Sequence, residues 1–141
     1  MGCGTGRYFR HLTDADLVVG VDPSPAMLAE ARGAVGVERL RRPPVLVVGT
    51  ANSIPVLGPF DLVFSIGVVG QVVPFTPALV GYLRSFGGTL VLSVLADGDR
   101  RHFCPAADAD VRKTQPSNWQ KVAFNTGVSE TFHLLTYAAE M

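Results

Sequence analysis

Cysteine is scarce in this chain: Cys3 and Cys104 are its only two, too few for a disulfide framework or a zinc site. Net charge is absent too, with 12 basic and 12 acidic residues, so no global field draws a polyanion. The local run Arg39-Leu40-Arg41-Arg42 reads as a solvated helix end, and no nucleic-acid partner is expected. A Gly-Lys-Ser/Thr tripeptide occurs nowhere, which argues against a triphosphate loop. No signal-peptide pattern opens the sequence, so a cytoplasmic location is the expectation. Charged residues are missing from Leu62 to Leu83, a stretch long enough to raise the question of a membrane span. Gly67, Gly70, Pro74, Pro77 and Gly81 interrupt it. A buried strand followed by a helix from about Phe75 explains the same apolarity, and no membrane association is expected.

Glycine, by contrast, is plentiful at 15 residues, and three of them open the chain in Gly2-Cys3-Gly4-Thr5-Gly6-Arg7. Alternate glycines let the backbone turn tightly and let a ligand approach the peptide groups. A dinucleotide fingerprint needs a sixth-place glycine where Arg7 stands, so the spacing argues against a nicotinamide cofactor. Arg7 to Leu12 reads as a short helix ended by the Thr13–Asp16 turn cluster. The run Leu17-Val18-Val19-Gly20-Val21 then ends on Asp22, a buried parallel strand with a carboxylate at its carboxyl end. Ser24 and Pro25 are N-cap and first-turn residues for a helix running toward Gly33. Ligands of open α/β sheets sit outside the carboxyl ends of strands, so the glycine turn and Asp22 describe one face of one pocket. A carboxylate there can accept both hydroxyls of a ribose.

These segments resemble the class I S-adenosylmethionine-dependent methyltransferases. Gly2-Cys3-Gly4-Thr5-Gly6 is similar to the family's glycine loop, and Val19-Gly20-Val21-Asp22-Pro23-Ser24-Pro25-Ala26-Met27-Leu28 to its second strand and following helix. The resemblance assigns Asp22 to the adenosine ribose, Pro23 to its side, and Met27 to the neighbourhood of the adenine. After the apolar strand Val45–Val48, Gly49-Thr50-Ala51-Asn52-Ser53-Ile54-Pro55 is similar to the segment that reads the adenine edge. Thr50 replaces the family's Asp there, which weakens that hydrogen bond or redirects it to Asn52. Phe60 to Gly67 looks like the fourth strand and the loop after it, placing Ser65 and Ile66 beside the cofactor, and Gly87 to Val94 looks like the fifth strand. The resemblance runs over residues 1–95 and implies S-adenosylmethionine as cofactor.

The fold expected is α/β: a Rossmann-like three-layer sandwich with a mostly parallel sheet, in one domain of residues 1–141 with a core over 1–95. The family's acidic residue and first strand would lie ahead of Met1, so the resemblance implies a domain incomplete at its N-terminus. Ala96 to Asn118 has little periodicity and reads as an insertion or lid. Residues 119–141 read as a strand pair around Gly127, over 121–126 and 128–135, followed by a helix start at Thr136-Tyr137-Ala138-Ala139-Glu140-Met141, hence a domain incomplete at its C-terminus as well. The family's reaction displaces a methyl group from a sulfonium, for which alignment suffices and a protein base is optional. Catalytic residues are therefore unassigned. His11, His102 and His133 are expected at surface or packing positions, His102 being favoured only for its place in the insertion. Asp97, Asp99, Asp108 and Asp110 are expected as solvated loop charges, and no metal is expected. A small-molecule acceptor is the expectation, with a truncated non-catalytic fragment or pseudoenzyme as the alternative.

Overall fold

Apolar, β-branched runs become strands throughout the computed structural model, which describes residues 1–97, 103–125 and 129–140 as two units, Met1–Val56 and Leu57–Met141. In the first unit β1 (Val19–Asp22) pairs in parallel with β2 (Val45–Val48), from Val19 opposite Val45 to Asp22 opposite Val48. Between them runs α1 (Pro25–Ala31), whose Ser24 N-cap accepts the Met27 N–H at 3.3 Å, the arrangement that the Ser-Pro dipeptide foretold. The helix expected over Arg7–Leu12 is a tighter 3-10 turn at Phe9–His11, and a second such turn covers Val37–Arg39. Phe9, Val18, Ala31 and Leu40 form the core, with Cys3, Leu12, Ala34, Val37 and Leu46 packed against it.

The second unit holds four strands in the order β3 (Leu62–Val69), β4 (Thr89–Asp97), β6 (Ser129–Tyr137), β5 (Asn118–Asn125). β3 and β4 are parallel, whereas β6 runs antiparallel to both β4 and β5. The crossover from β3 to β4 is α2 (Pro77–Arg84). It starts later than Phe75 because Thr76 is extended and caps it, its Oγ1 accepting the Leu79 N–H at 3.1 Å. The uncharged stretch is therefore β3, a turn and α2, and no helix among the described residues is long and apolar enough to cross a membrane.

Two expectations fail in this unit. The described parts of the segment read as an insertion or lid belong to regular elements: Ala96 and Asp97 finish β4, Asn118 begins β5, and α3 (Asp108–Lys113) buries Val111 completely. Ala106 N–H donates to Leu95 O at 2.8 Å and Cys104 N–H to Gly70 O at 3.0 Å. Charged and small residues hid one inward face. The helix start expected at Thr136 is instead the end of β6. His133, Leu135 and Tyr137 are buried in alternation, and that period of two overrides the helix-forming alanines that follow. Gly127 and His102 lie outside the described residues.

His133 fastens α3's leading segment to the hairpin. Its Nδ1 accepts the Trp119 Nε1–H at 3.0 Å, so the ring proton sits on Nε2, which donates to Ala106 O at 2.9 Å. Lys121 reaches Asp108 at 2.8 Å and Thr114 reaches the Tyr137 hydroxyl at 2.7 Å. The Lys121 ammonium holds the Asp108 carboxyl below its ordinary pKa. Replacing His133 by Ala orphans the buried Ala106 carbonyl and the half-buried Trp119 indole N–H and is expected to lower stability by about 2 kcal/mol. Gly81, inside α2 with open space beside it, is expected to respond oppositely, Gly81→Ala gaining about 0.5–1 kcal/mol. Urea unfolding of both variants checks the pair.

Candidate functional site

Asp22 gathers three loops of the first unit onto one residue. Its Oδ2 accepts the Gly4 N–H at 2.9 Å and its Oδ1 the Ser24 N–H at 2.9 Å. Its carbonyl accepts the Gly49 N–H at 3.1 Å. The glycine loop also touches β1 directly, Cys3 N–H donating to Val21 O at 3.0 Å. Gly2, Gly4 and Gly6 have φ of +65°, +52° and +79°, the left-handed region that β-carbons disfavour. The loop's shape thus depends on the glycines themselves.

Gly20 is a determinant that motif reading missed. A Cβ there would fall 2.9 Å from Leu46 Cδ2, 3.0 Å from Cys3 Sγ and 3.2 Å from the Phe9 ring. Only glycine lets the loop lie this close to β1. The signal was available, because a glycine inside a strand run marks a close approach by another backbone.

The other first-unit residues of these motifs lie on the glycine loop, at the start of α1 and in the turn after β2. Pro23 and Met27 are exposed, Met27 to 44%, which leaves a thioether surface open at the start of α1. Thr50 and Ser53 exchange backbone hydrogen bonds at 3.1 Å in each direction, closing a tight turn that buries Ala51 and exposes Thr50 and Asn52. Thr5 is exposed and Cys3 half-buried. Ser65 and Ile66 belong to the second unit and differ from expectation: they lie within β3, not in a loop after it. The β-branched run continues to Val69, so the strand does too. Local irregularity persists, since the register against β4 shifts between Ser65 and Val69 and Gly67, with φ +74°, donates its N–H to Ser93 Oγ at 2.9 Å. Ser65 itself is buried.

A cofactor carrying a vicinal diol fits the Asp22 junction. Each carboxylate oxygen there accepts one backbone N–H and keeps a second acceptor position. A Cβ at Gly4 would meet nothing within 4 Å, so that side of the loop is open. In the first unit His11 is exposed and paired with Arg10, and in the second unit His133 is held between Trp119 and Ala106. Asp108 and Asp110 pair with Lys121 and Lys113, Asp97 is exposed and Asp99 lies outside the described residues. Among the described residues no cluster of three His, Cys, Asp or Glu side chains could hold a metal ion.

Comparison with known proteins bears on this arrangement. The sequence profile of a family described as "Methyltransferase domain" matches residues 1–85. The tRNA U34 carboxymethyltransferase of Shewanella frigidimarina (strain NCIMB 400) is 38% identical over 105 residues, 70% of this chain and 32% of the relative. That of Shewanella loihica (strain ATCC BAA-1088 / PV-4) is 37% identical over the same length. The chain thus spans about a third of the length of the curated relatives it matches. Its fold is shared with magnesium protoporphyrin IX methyltransferase from Synechocystis PCC 6803 with bound SAH, at a TM-score of 0.73, 20% identity and coverage of 98% and 72% of the two chains. A 16S rRNA (adenine(1408)-N(1))-methyltransferase variant from Catenulisporales acidiphilia superposes with a TM-score of 0.62 at 22% identity, covering 99% and 83%. These relatives correct one expectation. Curated proteins named for action on tRNA overturn the reading that no nucleic acid is indicated, because overall charge neutrality says nothing about where the charges lie.

Burial, together with the nearby Asp22 carboxylate, raises the Cys3 thiol pKa above its ordinary value. The thiolate is the reactive form, so Cys3 in a Cys104→Ser background is expected to react with iodoacetamide several-fold more slowly at pH 8 than a free cysteine, with its midpoint displaced upward. Asp22→Asn is expected to move that midpoint down, and a rate-against-pH series checks both.

Proposed function

The chain belongs to the class I S-adenosylmethionine-dependent methyltransferases, whose cofactor is S-adenosylmethionine, and on that footing we propose that it transfers a one-carbon group from this cofactor to a base of a structured RNA. The observation that carries the proposal is the Asp22 junction, a buried carboxylate that fixes the glycine loop while keeping acceptor capacity for a ribose diol. Gly2, Cys3, Gly4, Thr5 and Gly6 would cradle the cofactor's amino-acid end. Asp22 would take the ribose hydroxyls, and Pro23, Met27, Thr50, Ala51 and Asn52 would flank the adenine. Ser65 and Ile66 are assigned to the methyl-bearing side. The RNA acceptor is supported by the curated relatives, named as tRNA U34 carboxymethyltransferases.

When bound, the sulfonium supplies an activated one-carbon group. The chain's own contribution is then alignment: the loop and Asp22 hold one end of the ligand so that the acceptor meets it in a fixed direction, which can supply much of a rate enhancement without a protein base. The alternative is a cofactor-binding chain without transfer activity, which the measurements below separate from the first reading.

Hydrogen bonds to a charged group contribute about 1.5–3 kcal/mol each, and about 1.4 kcal/mol is tenfold in affinity. Asp22→Ala is therefore expected to weaken S-adenosylhomocysteine binding at least tenfold in calorimetric titration, with thermal melting checking that the variant folds. Equal affinity in a folded variant contradicts the site. Transfer of radiolabel from S-adenosylmethionine to bulk tRNA is expected for the intact chain. Binding without transfer to tRNA favours the non-catalytic reading, and transfer confined to small molecules removes the RNA acceptor.

A further inference from the structure

Immediately after the glycine loop the chain presents a compact set of cations. Gly6 is followed by Arg7, and the backbone then winds through three-residue hydrogen bonds: Gly6 N–H to Cys3 O, Phe9 N–H to Gly6 O, His11 N–H to Tyr8 O and Leu12 N–H to Phe9 O, at 2.9–3.0 Å. Arg7 and Arg10 flank the start of this turn and are both exposed, while Phe9 turns into the core. Gly36, at φ +86°, lies against this turn so closely that a Cβ on it would fall 2.8 Å from Arg10 Cα. The turn Val37–Arg39 that follows brings Arg39 to the same corner.

The acidic complement of this corner is thin. Glu38 lies 3.6 Å from Arg39, and Asp16 is taken up by Arg41 at 2.6 Å. Arg10 Nε donates to His11 Nε2 at 3.2 Å, a neutral partner in that role. Among the described residues Arg7 has no carboxylate partner. Like charges three positions apart in one short segment repel one another, and an anion lying against both relieves that repulsion. Phosphates of a nucleic-acid backbone match that requirement in charge and in the paired acceptor oxygens that a guanidinium fork engages.

We infer that Arg7 and Arg10, with Arg39 beside them, form a phosphodiester-docking corner that holds the backbone of an RNA acceptor next to the cofactor cradle. This rests on the RNA reading of the function and goes beyond it by naming the surface. Arg7 follows Gly4, anchored on Asp22, by only three positions, so backbone docking and cofactor binding share one small unit.

The test is binding of bulk tRNA to the intact chain, followed by fluorescence anisotropy over a salt series. Arg7→Glu with Arg10→Glu is expected to weaken binding at least tenfold. It is also expected to flatten the slope of log affinity against log salt by about 1.4–1.8, at about 0.7–0.9 for each phosphate no longer neutralised, while leaving S-adenosylhomocysteine affinity and melting temperature unchanged. The same charge change in α3, Arg112→Glu with Lys113→Glu, is expected to have a much smaller effect. If both double variants weaken binding equally, or if Arg7→Glu with Arg10→Glu binds like the unmodified chain, the corner is refuted and the RNA reading stands. If the unmodified chain binds no tRNA at low salt, the RNA reading falls and the corner with it.

Discussion

The first unit depends on a single side chain accepting hydrogen bonds in two directions. Asp22 stands at the carboxyl end of β1, where the strand's own ladder stops and backbone N–H groups of the flanking loops need partners. It supplies them to Gly4 and Ser24 through its two carboxylate oxygens and to Gly49 through its carbonyl. The glycine loop, the start of α1 and the turn after β2 are thereby referred to one point. A ligand that uses the spare acceptor positions of the same carboxylate engages a group already held in place, and preorganisation of this kind lowers what binding must spend on ordering.

The loop's closeness to β1 is a matter of volume as much as of hydrogen bonding. Gly20 removes the side chain that would collide with Leu46, Cys3 and Phe9, and positive φ at Gly2, Gly4 and Gly6 lets the chain turn back over the strand. Phe9 fills the space beneath, and the same packing that seats it turns Arg7 and Arg10 outward. The cradle and the cationic corner are two faces of one packing solution. Burial also keeps the Cys3 thiol protonated, so it serves the loop as a small apolar filler.

Much of this was legible before any coordinates. The Ser24-Pro25 start of α1, the bounds of β2 and the acidic end of β1 each follow from a strong local signal. What escaped was decided at longer range. Tyr137 is drawn into β6 by burial, its hydroxyl meeting Thr114 just beyond α3, whatever the alanines after it prefer. The 96–118 segment looked irregular because α3 offers the core a single fully buried side chain, Val111. His133 looked like any histidine, and only the pairing of β5 with β6 brings Trp119 to one of its nitrogens and Ala106 to the other. Ser65 and Ile66 were read within a segment that ends in strand and loop by Gly67, yet Val68 and Val69 carry the strand past it. The charge balance misled in a different way, since a sum over the whole chain says nothing about where its charges lie.

If the loops gathered on Asp22 receive the cofactor, amide chemical shifts of the isotope-labelled chain, recorded as S-adenosylhomocysteine is added, will show where it sits. Shifts are expected to concentrate in the first unit at Gly2 to Gly6, Asp22 to Met27 and Gly49 to Asn52, Gly4 and Ser24 among the largest, with α3 and β5 unmoved. Saturating shifts that leave those three loops untouched, or none at all in a folded sample, would contradict that placement.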